Sequence, residues 1–485
     1  MSDLFVRDAD ETKKPVTRKA QLGQFMTPPG IAGFMAGLFS VPFQETVRLL
    51  DAGAGKGALT AAFIERWHGA GGCGTLSAHA YEADEAMIGE LRPLLDSAAG
   101  DAVSAELFEG DFIARAATML RLARGPRYTH AILNPPYKKI NSLSAHRSLL
   151  RAAGLETVNL YSGFVGLALD LLEPGGQIVA IIPRSFCNGP YYQPFRRFLL
   201  KRAAIQQIHL FEARNKAFKD ESVLQENIIL HLVRGGEQGD VKVSTSTDDS
   251  FDDFAVTTHS FDRVVFRADA EQFIHIPTGI GGDELLGAVA FCHSLADLGI
   301  TVSTGPVVDF RMREDLRTNP DEGTVPLLYP GHFNGVSLEW PREGFKKPNA
   351  IRLTAGTRKW LYPNGYYTVV RRFSSKEERR RIVASVIDPS RLPGELIGLE
   401  NHLNVFHEGR QPIPEELARG LAVFLNSTMV DQYFRRFNGH TQVNATDLRT
   451  MRYPSRTILC ELGRWAKAGG LVAQDAIDQR VSAAA

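Results

Sequence analysis

Four consecutive residues, Asn134-Pro135-Pro136-Tyr137, carry the most specific chemistry in the chain. An amino group conjugated to an aromatic base or to an amide carbonyl is a poor nucleophile, because its lone pair is delocalised. The side-chain oxygen of Asn134 and the main-chain carbonyl of Pro135 can each accept one of its hydrogens. The nitrogen is then held nearer sp³ geometry, with its lone pair aimed at an electrophilic methyl. The prolines fix the backbone so that the carbonyl points into the site, and Tyr137 offers a flat face for a planar substrate. The plainer reading of the same residues is a rigid Asn-Pro turn after a strand.

A second pattern lies upstream. Asp51-Ala52-Gly53-Ala54-Gly55-Lys56-Gly57 follows an apolar strand and precedes a helix. Alternate glycines let the backbone turn sharply and approach a ligand at the helix's amino end. This is not a phosphate-binding Walker loop, because Gly57 stands where Ser or Thr must follow the lysine, and it lacks G-x-G-x-x-G spacing. Glu82, at the end of the next strand, sits where an acid accepts hydrogen bonds from a ribose. Asp111, in Gly110-Asp111-Phe112 at the end of the third, completes a row of strand-tip acids with Asp51 and Glu82. Together with the glycine loop they point to a nucleoside-containing cofactor.

The elements that must position these residues form one alternating series. From about Val47 to Val233, short β-type runs (VRLLDAG, LSAHAYEAD, AELFEGDF, RYTHAILNPPY, QIVAIIP, IQQIHLFE, NIILHLVR) are separated for the most part by helical stretches. Such alternation predicts an α/β, mainly parallel, doubly wound sheet, with ligands at the carboxyl ends of its strands. After Arg234 a Gly-, Ser-, Thr- and Asp-rich stretch reads as a linker or a polar edge hairpin. The remainder is more irregular, α+β in character, with LARGLAVFLNSTMVDQYFRRF as its clearest helix. The expected division is residues 1–260 and 261–485.

Composition bounds the function classes. The chain of 485 residues has 55 basic and 55 acidic side chains, 44% hydrophobic and 23% charged residues. That excludes disorder and low complexity, and predicts more than one domain. The longest apolar runs, such as Ile178 to Pro183, are far too short to span a membrane, and the polar amino terminus lacks a signal core. Scattered Cys73, Cys187, Cys292 and Cys460 fit a reducing, cytoplasmic setting and neither a disulfide framework nor a zinc site. No metal-binding constellation is evident, so no metal is expected. Residues 321–485 carry 23 bases against 17 acids, densest at Arg371–Arg372, Arg379–Arg381 and Arg435–Arg436. Solvated surface is the plain reading of any one such pair.

The order and spacing of these motifs resemble S-adenosylmethionine-dependent amino methyltransferases. More narrowly, they resemble the gamma-class, adenine-specific (N6) DNA modification methylases of type II restriction–modification systems, the PstI/XhoI type. Gly23-Gln24-Phe25-Met26-Thr27-Pro28 is similar to that class's amino-proximal motif, placed before the glycine loop. The stretch from Asn134 through NLYSGF is very similar as well. The resemblance covers most of the chain and implies a Rossmann-like catalytic domain followed by a DNA target-recognition domain. It implies that Gln24, Phe25, Thr27, Pro28, Asp51, Gly53, Gly55, Glu82, Asp111 and Phe112 bind the cofactor, with Glu82 on the ribose and Asp111 on the cofactor's adenine amino group. Asn134, Pro135, Pro136 and Tyr137 would serve catalysis, and Phe218 would stack on the extruded base. Tyr161 and Phe164 read as core of an amphipathic helix. In the recognition domain Gln442 and Asn444 are candidates for adenine edges, and Arg435 or Arg436 for guanine or phosphate.

The expected partner is double-stranded DNA, from which the enzyme, a monomer in the bacterial cytoplasm, must extrude the target nucleotide. A separate cognate restriction endonuclease is a plausible companion, since no nuclease domain is evident in this chain. Methylation of cytosine N4, of an RNA base or of a protein glutamine uses the same chemistry, and a non-catalytic DNA-binding module is the alternative from another class. The roughly 200 residues after the catalytic domain favour DNA. Cys187 lacks the proline context of a cytosine-ring nucleophile and reads as a buried thiol.

Overall fold

The computed structural model describes residues 26–211, 226–266, 269–277, 293–335, 337–374, 378–437, 442–469 and 473–484, the side chains of residues 190, 436 and 437 excepted. The chain separates into two compact units, Met1–Arg267 and Ala268–Ala485.

The first unit is built on one nine-stranded sheet. Its elements run α1 (Pro29–Gly37), β1 (Thr46–Ala52), α2 (Ala58–Gly69), β2 (Thr75–Glu82), α3 (Glu85–Ala98), β3 (Val103–Glu109), α4 (Phe112–Leu122) and β4 (Tyr128–Leu133). There follow α5 (Ala145–Ala152), α6 (Leu160–Leu171), β5 (Leu172–Pro183), α7 (Gln193–Arg202), β6 (Ala203–Phe211), β7 (Asn227–Arg234), β8 (Val241–Ser246) and β9 (Ala255–His259). Strand order is β3-β2-β1-β4-β5-β7-β6-β8-β9. The first five strands pair in parallel, whereas β7 enters antiparallel between β5 and β6. Helices cover both faces of the central strands, so these strands cannot alternate in polarity: every residue of β4 is buried. The Ser- and Thr-rich stretch after Arg234 forms the edge, β8 parallel to β6 and β9 antiparallel to β8. β9 is exposed at four of its five positions, as a one-sided edge strand tolerates.

The direction of strand succession reverses between β1 and β4, which lie side by side. A doubly wound sheet has its crevice at such a point, because the connections from the two strands leave toward opposite faces. The glycine loop follows β1 and Asn134 follows β4, so both sequence patterns open into that crevice.

The second unit holds a four-stranded and a five-stranded sheet with helices packed beside them. Thr301–Thr304, Leu403–His407, Tyr367–Arg371 and Ala384–Ile387 make up the first. Helices Glu415–Leu425 and Arg456–Gly469 meet backbone to backbone through two glycines. A Cβ on Gly420 would lie 1.7 Å from the carbonyl oxygen of Leu459, and one on Gly463 would lie 1.8 Å from that of Glu416. The sequence reading of one long helix over residues 417–437 needs correction: Glu415–Leu425 and Thr428–Phe437 are separate helices. Asn426 interrupts them because its side chain bonds both backbone groups of Ala384, at 3.0 and 2.8 Å. Ser427 Oγ then accepts from the Val430 N–H at 3.3 Å and opens the second helix.

Candidate active site

At the end of β1 the N–H groups of Gly53 and Ala54 both donate to the Tyr81 carbonyl, at 2.9 and 3.0 Å, clasping the loop to the end of β2. Gly53 has φ of +79°, and a Cβ there would meet the Phe164 ring at 3.6 Å and Pro136 at 3.9 Å. A side chain at this position would be strained and would also narrow the crevice.

Glu82 is 6% exposed and held by three backbone donors. Its Oε2 accepts from the Gly55 N–H at 2.8 Å, and its Oε1 from Ala83 and Asp84 at 2.8 and 2.9 Å. A carboxylate offers about four lone-pair sites, so the group is fixed in direction and keeps acceptor capacity toward the cavity it lines. Asp111 stands two residues past β3 as the cap of α4, accepting from the Ala114 N–H at 3.0 Å. Its other oxygen is paired with His146.

A cavity of about 290 Å³ joins these groups. Glu82, Asp111 and His146 give it a polar end, Phe112, Ile113, Leu160 and Phe164 an apolar slot, and Met26, Thr27, Gly53, Gly55, Asn134 and Pro136 its inner wall. Phe112 and Phe164 are tilted, with centroids 5.1 Å apart.

Asp51 does not line the cavity. It is fully buried beneath the loop, its Oδ2 accepting from the Thr60 hydroxyl at 2.7 Å. Burial, with Glu82 nearby adding repulsion, raises its carboxyl to about 7. Among the candidate cofactor residues, Asp51 therefore anchors the loop from below, and Pro28 sits at the amino cap of α1. Gln24, Phe25 and Phe218 lie outside the described residues.

Asn134 leaves β4 beside the cavity. Its amide nitrogen donates to the Thr27 hydroxyl at 2.9 Å, which fixes the side chain so that Oδ1 faces the Tyr137 hydroxyl at 3.1 Å. That hydroxyl is also 3.2 Å from the carbonyl of Ile181 on β5, so it has an alternative acceptor. A substrate amino group can replace it on Asn134 without leaving the phenol unpaired. Pro135 is buried and Pro136 lines the cavity. Tyr161, 1% exposed, packs edge-on to Tyr137 at 6.2 Å and bonds Ser185 at 3.1 Å, as a core residue.

Three comparisons bear on this arrangement. Residues 116–218 match the model of the Eco57I restriction-modification methylase family. The type II methyltransferase M.BsuBI of Bacillus subtilis is 53% identical over 92% of this chain and 90% of its own length. The type II methyltransferase M.PstI of Providencia stuartii is 44% identical over 93% of this chain and 90% of its own length. The chain belongs to the type II methyltransferases. At the level of fold it is also similar to the type IIL restriction-modification enzyme MmeI, solved in complex with DNA. That likeness has a TM-score of 0.53 at 10% identity and covers 94% of this chain and 70% of that one.

Sequence reasoning missed several residues of the methyltransferase's cavity. Phe164, read as core, is 9% exposed and presents its edge to the slot between Gly53 and Phe112. All-round burial of α6 hides that distinction from periodicity, since ten of its twelve residues are buried. His146 and Lys138 also line the cavity, and their only signal was proximity to Tyr137 in sequence.

In the second unit the candidate contact residues are engaged internally. Arg435 bonds Asp431 at 2.6 Å and the Glu378 carbonyl at 2.8 Å. Asp431 in turn accepts from the Arg381 N–H at 2.6 Å. Asn444 caps helix Ala445–Thr450 in a reciprocal box with Asp447. Gln442 pairs by its backbone with Phe373, and the side chain of Arg436 lies outside the described residues. Beside Gln442, and taking in Arg372 of the basic pair named above, exposed rings and cations lie together. Phe373, 41% exposed, lies 5.0 Å from the His402 ring and 5.8 Å from the Arg372 guanidinium. Arg372 reaches the Asn401 carbonyl, whose N–H bonds Val307, and Phe310 three residues on is 61% exposed under Arg311.

Proposed function

We propose that this enzyme transfers a methyl group from S-adenosylmethionine to the exocyclic N6 amino group of an adenine flipped out of a specific site in double-stranded DNA. The modification would protect that site from a cognate restriction endonuclease. The observation that carries the reading is the fixed Asn134 side chain, its amide nitrogen on Thr27 and its oxygen turned to Tyr137, beside a cavity that also contains Glu82.

The donor and acceptor set fits an S-adenosyl ligand. Glu82 would accept from the ribose hydroxyls, Phe112 and Phe164 would enclose the adenine ring, and Asp111 would accept from its amino group. Asp111 is already paired with His146, so that contact requires the two groups to share an oxygen or His146 to turn aside. When bound, the cofactor supplies an electrophilic methyl on a sulfonium. Asn134 Oδ1 and the Pro135 carbonyl would take the two hydrogens of the target amino group and aim its lone pair along the line of displacement. Tyr137 would stack on the base while its hydroxyl moves to the Ile181 carbonyl. The amino nitrogen would take up the methyl that the cofactor supplies and release one proton to solvent.

The second unit would read the site. Support comes from its basic excess and from exposed rings set beside cations, Phe310 under Arg311 and Phe373 beside Arg372 and His402, as on nucleic-acid surfaces. The protein would act as a monomer, one unit extruding the base while the other reads.

Long-read sequencing of DNA from a methylation-free bacterial host tests the whole reading. Expression of this chain should modify adenine within one short motif, and Asn134→Ala should leave the motif bare. Modified cytosine would replace N6 by N4. Unmodified DNA beside protein that binds S-adenosylmethionine would move the substrate to RNA or protein, or make the chain a binding module.

A further inference from the structure

Leu143 is 93% exposed, the most exposed large apolar side chain among the described residues. It is not on a loosely held loop. The segment leaves Tyr137 and is tied at its base to the start of α6: the Ile140 N–H donates to the Val158 carbonyl at 2.8 Å and the Leu160 N–H to the Lys138 carbonyl at 2.8 Å. Its tip is a tight turn closed by Asn141. The Leu143 N–H donates to Asn141 Oδ1 at 3.1 Å, and the Ser144 N–H and hydroxyl donate to the Asn141 carbonyl at 3.1 and 2.8 Å. Ser144 Oγ then accepts from the Arg147 N–H at 3.3 Å and caps α5. The turn is thus closed on both sides by its own hydrogen bonds, and it presents one leucine to water.

Its position is equally defined. Lys138 and His146, on either side of the turn, both line the cavity that Asn134 borders. The tip therefore stands on the rim of the active site, with exposed Lys138 and Lys139 at its base. On the DNA reading, a nucleic acid delivering a base to Asn134 would approach beside this turn.

We infer that Leu143 is a wedge that enters the duplex as the target nucleotide leaves it. This inference rests on the DNA reading above. Extruding a paired base exposes the apolar faces of its neighbours and leaves a gap in the stack, and an inserted aliphatic side chain removes both from water. The neighbouring lysines would hold the adjoining phosphates. A second copy of this chain, or another protein, is the other kind of occupant an exposed apolar tip attracts, and the test separates it.

The probe is an oligonucleotide duplex carrying the motif found by sequencing, compared with the same duplex in which the base opposite the target is absent. Leu143→Ala removes the wedge from a fully exposed position, and Leu143→Met keeps an apolar wedge of similar reach. The expected result is a loss of about tenfold in transfer to the intact duplex for Leu143→Ala, most of it restored when the opposing base is absent, because that base no longer resists extrusion. With 2-aminopurine at the target position, Leu143→Ala should also lower the fluorescence that reports an unstacked base, while Leu143→Met stays near wild type. Equal loss on both duplexes, or no loss on either, overturns the wedge; the second result, if accompanied by a change in oligomeric state, gives the leucine to a protein contact. Wild-type protein that methylates neither duplex overturns the DNA reading itself.

Discussion

The two units assign their polar side chains differently. In the first, the candidate residues stand at strand ends and are held by backbone groups: Glu82 by three N–H donors, Asn134 through Thr27 from the chain before α1. Each keeps a face toward the cavity. In the second, Arg435 and Asn444, chosen for the same polarity, are tied to Asp431 and Asp447 of their own unit. The surface there that offers rings and cations to solvent lies instead on the loops around Phe310 and Phe373. The candidate catalytic side chains are placed by sheet topology, whereas the exposed rings and cations of the second unit are placed by loops, and the same residue type means different things in the two settings.

The sharpest break in that contrast is at Asn134. On the proposed reading, Asn134→Ala removes the acceptor that would direct the target amino group but none of the groups around Glu82. Transfer should fall by roughly a hundred- to a thousandfold, with S-adenosylmethionine affinity by isothermal titration unchanged within a fewfold. Lost affinity with transfer intact would move Asn134 into the cofactor site.

Next in size is the buried acid beneath the loop. Asp51 has a folded-state value of about 7, above its ordinary 3.8. Between those values the folded chain keeps a proton that the unfolded chain has released, so stability falls as pH rises and levels off above the folded value. Asp51→Asn cannot ionise. Relative to this variant, the wild type should lose about 2 kcal/mol of unfolding free energy between pH 5 and 7, measured by urea titration. A pH-independent difference would mean that Asp51 stays ionised in the fold.

Much of the first unit was legible because its signals are local. Strand, glycine turn and helix follow one another around Gly53, and Asn134-Pro135-Pro136-Tyr137 marks the abrupt end of β4. The parallel doubly wound order followed from the alternation itself. What was not legible depends on contacts across the fold. Asp51 and Glu82 read as equal strand-tip acids, yet one is beneath the loop and the other in the cavity: Asp51 pairs with Ala80, two residues short of Glu82, and so lies deeper on the same face of the sheet. The pairing of Asp111 with His146 joins residues 35 apart in the chain, and no spacing rule anticipates it. In the second unit the motif around Gln442 drew attention to Asn444, whose polarity serves a helix end. The adjacent Phe373, 41% exposed, carries no local signal that sets it apart from a buried ring.

Two substitutions in the second unit, about 70 residues apart in the chain, sharpen the comparison at the smaller end of the scale. Phe373→Ala removes an exposed ring beside Arg372 and His402. If the ring stacks on nucleic acid, affinity for the motif duplex should drop about tenfold, since aromatic stacking on a base is worth roughly 1–3 kcal/mol. Thermal stability should fall only modestly, because the ring is 41% exposed and its loss leaves no enclosed cavity. Asn444→Ala should do the reverse. It removes a cap whose side chain and partner Asp447 close the start of helix Ala445–Thr450, a loss of about 1 kcal/mol in unfolding free energy, with the preference among motif variants unaltered. Competition methylation between the motif and its single-base variants, run beside thermal melts for both proteins, reads the two effects together. If Asn444→Ala relaxes the preference while Phe373→Ala only melts earlier, the residue that caps is also the residue that reads. The separation between a structural interior and a recognising loop surface would then not hold in this unit.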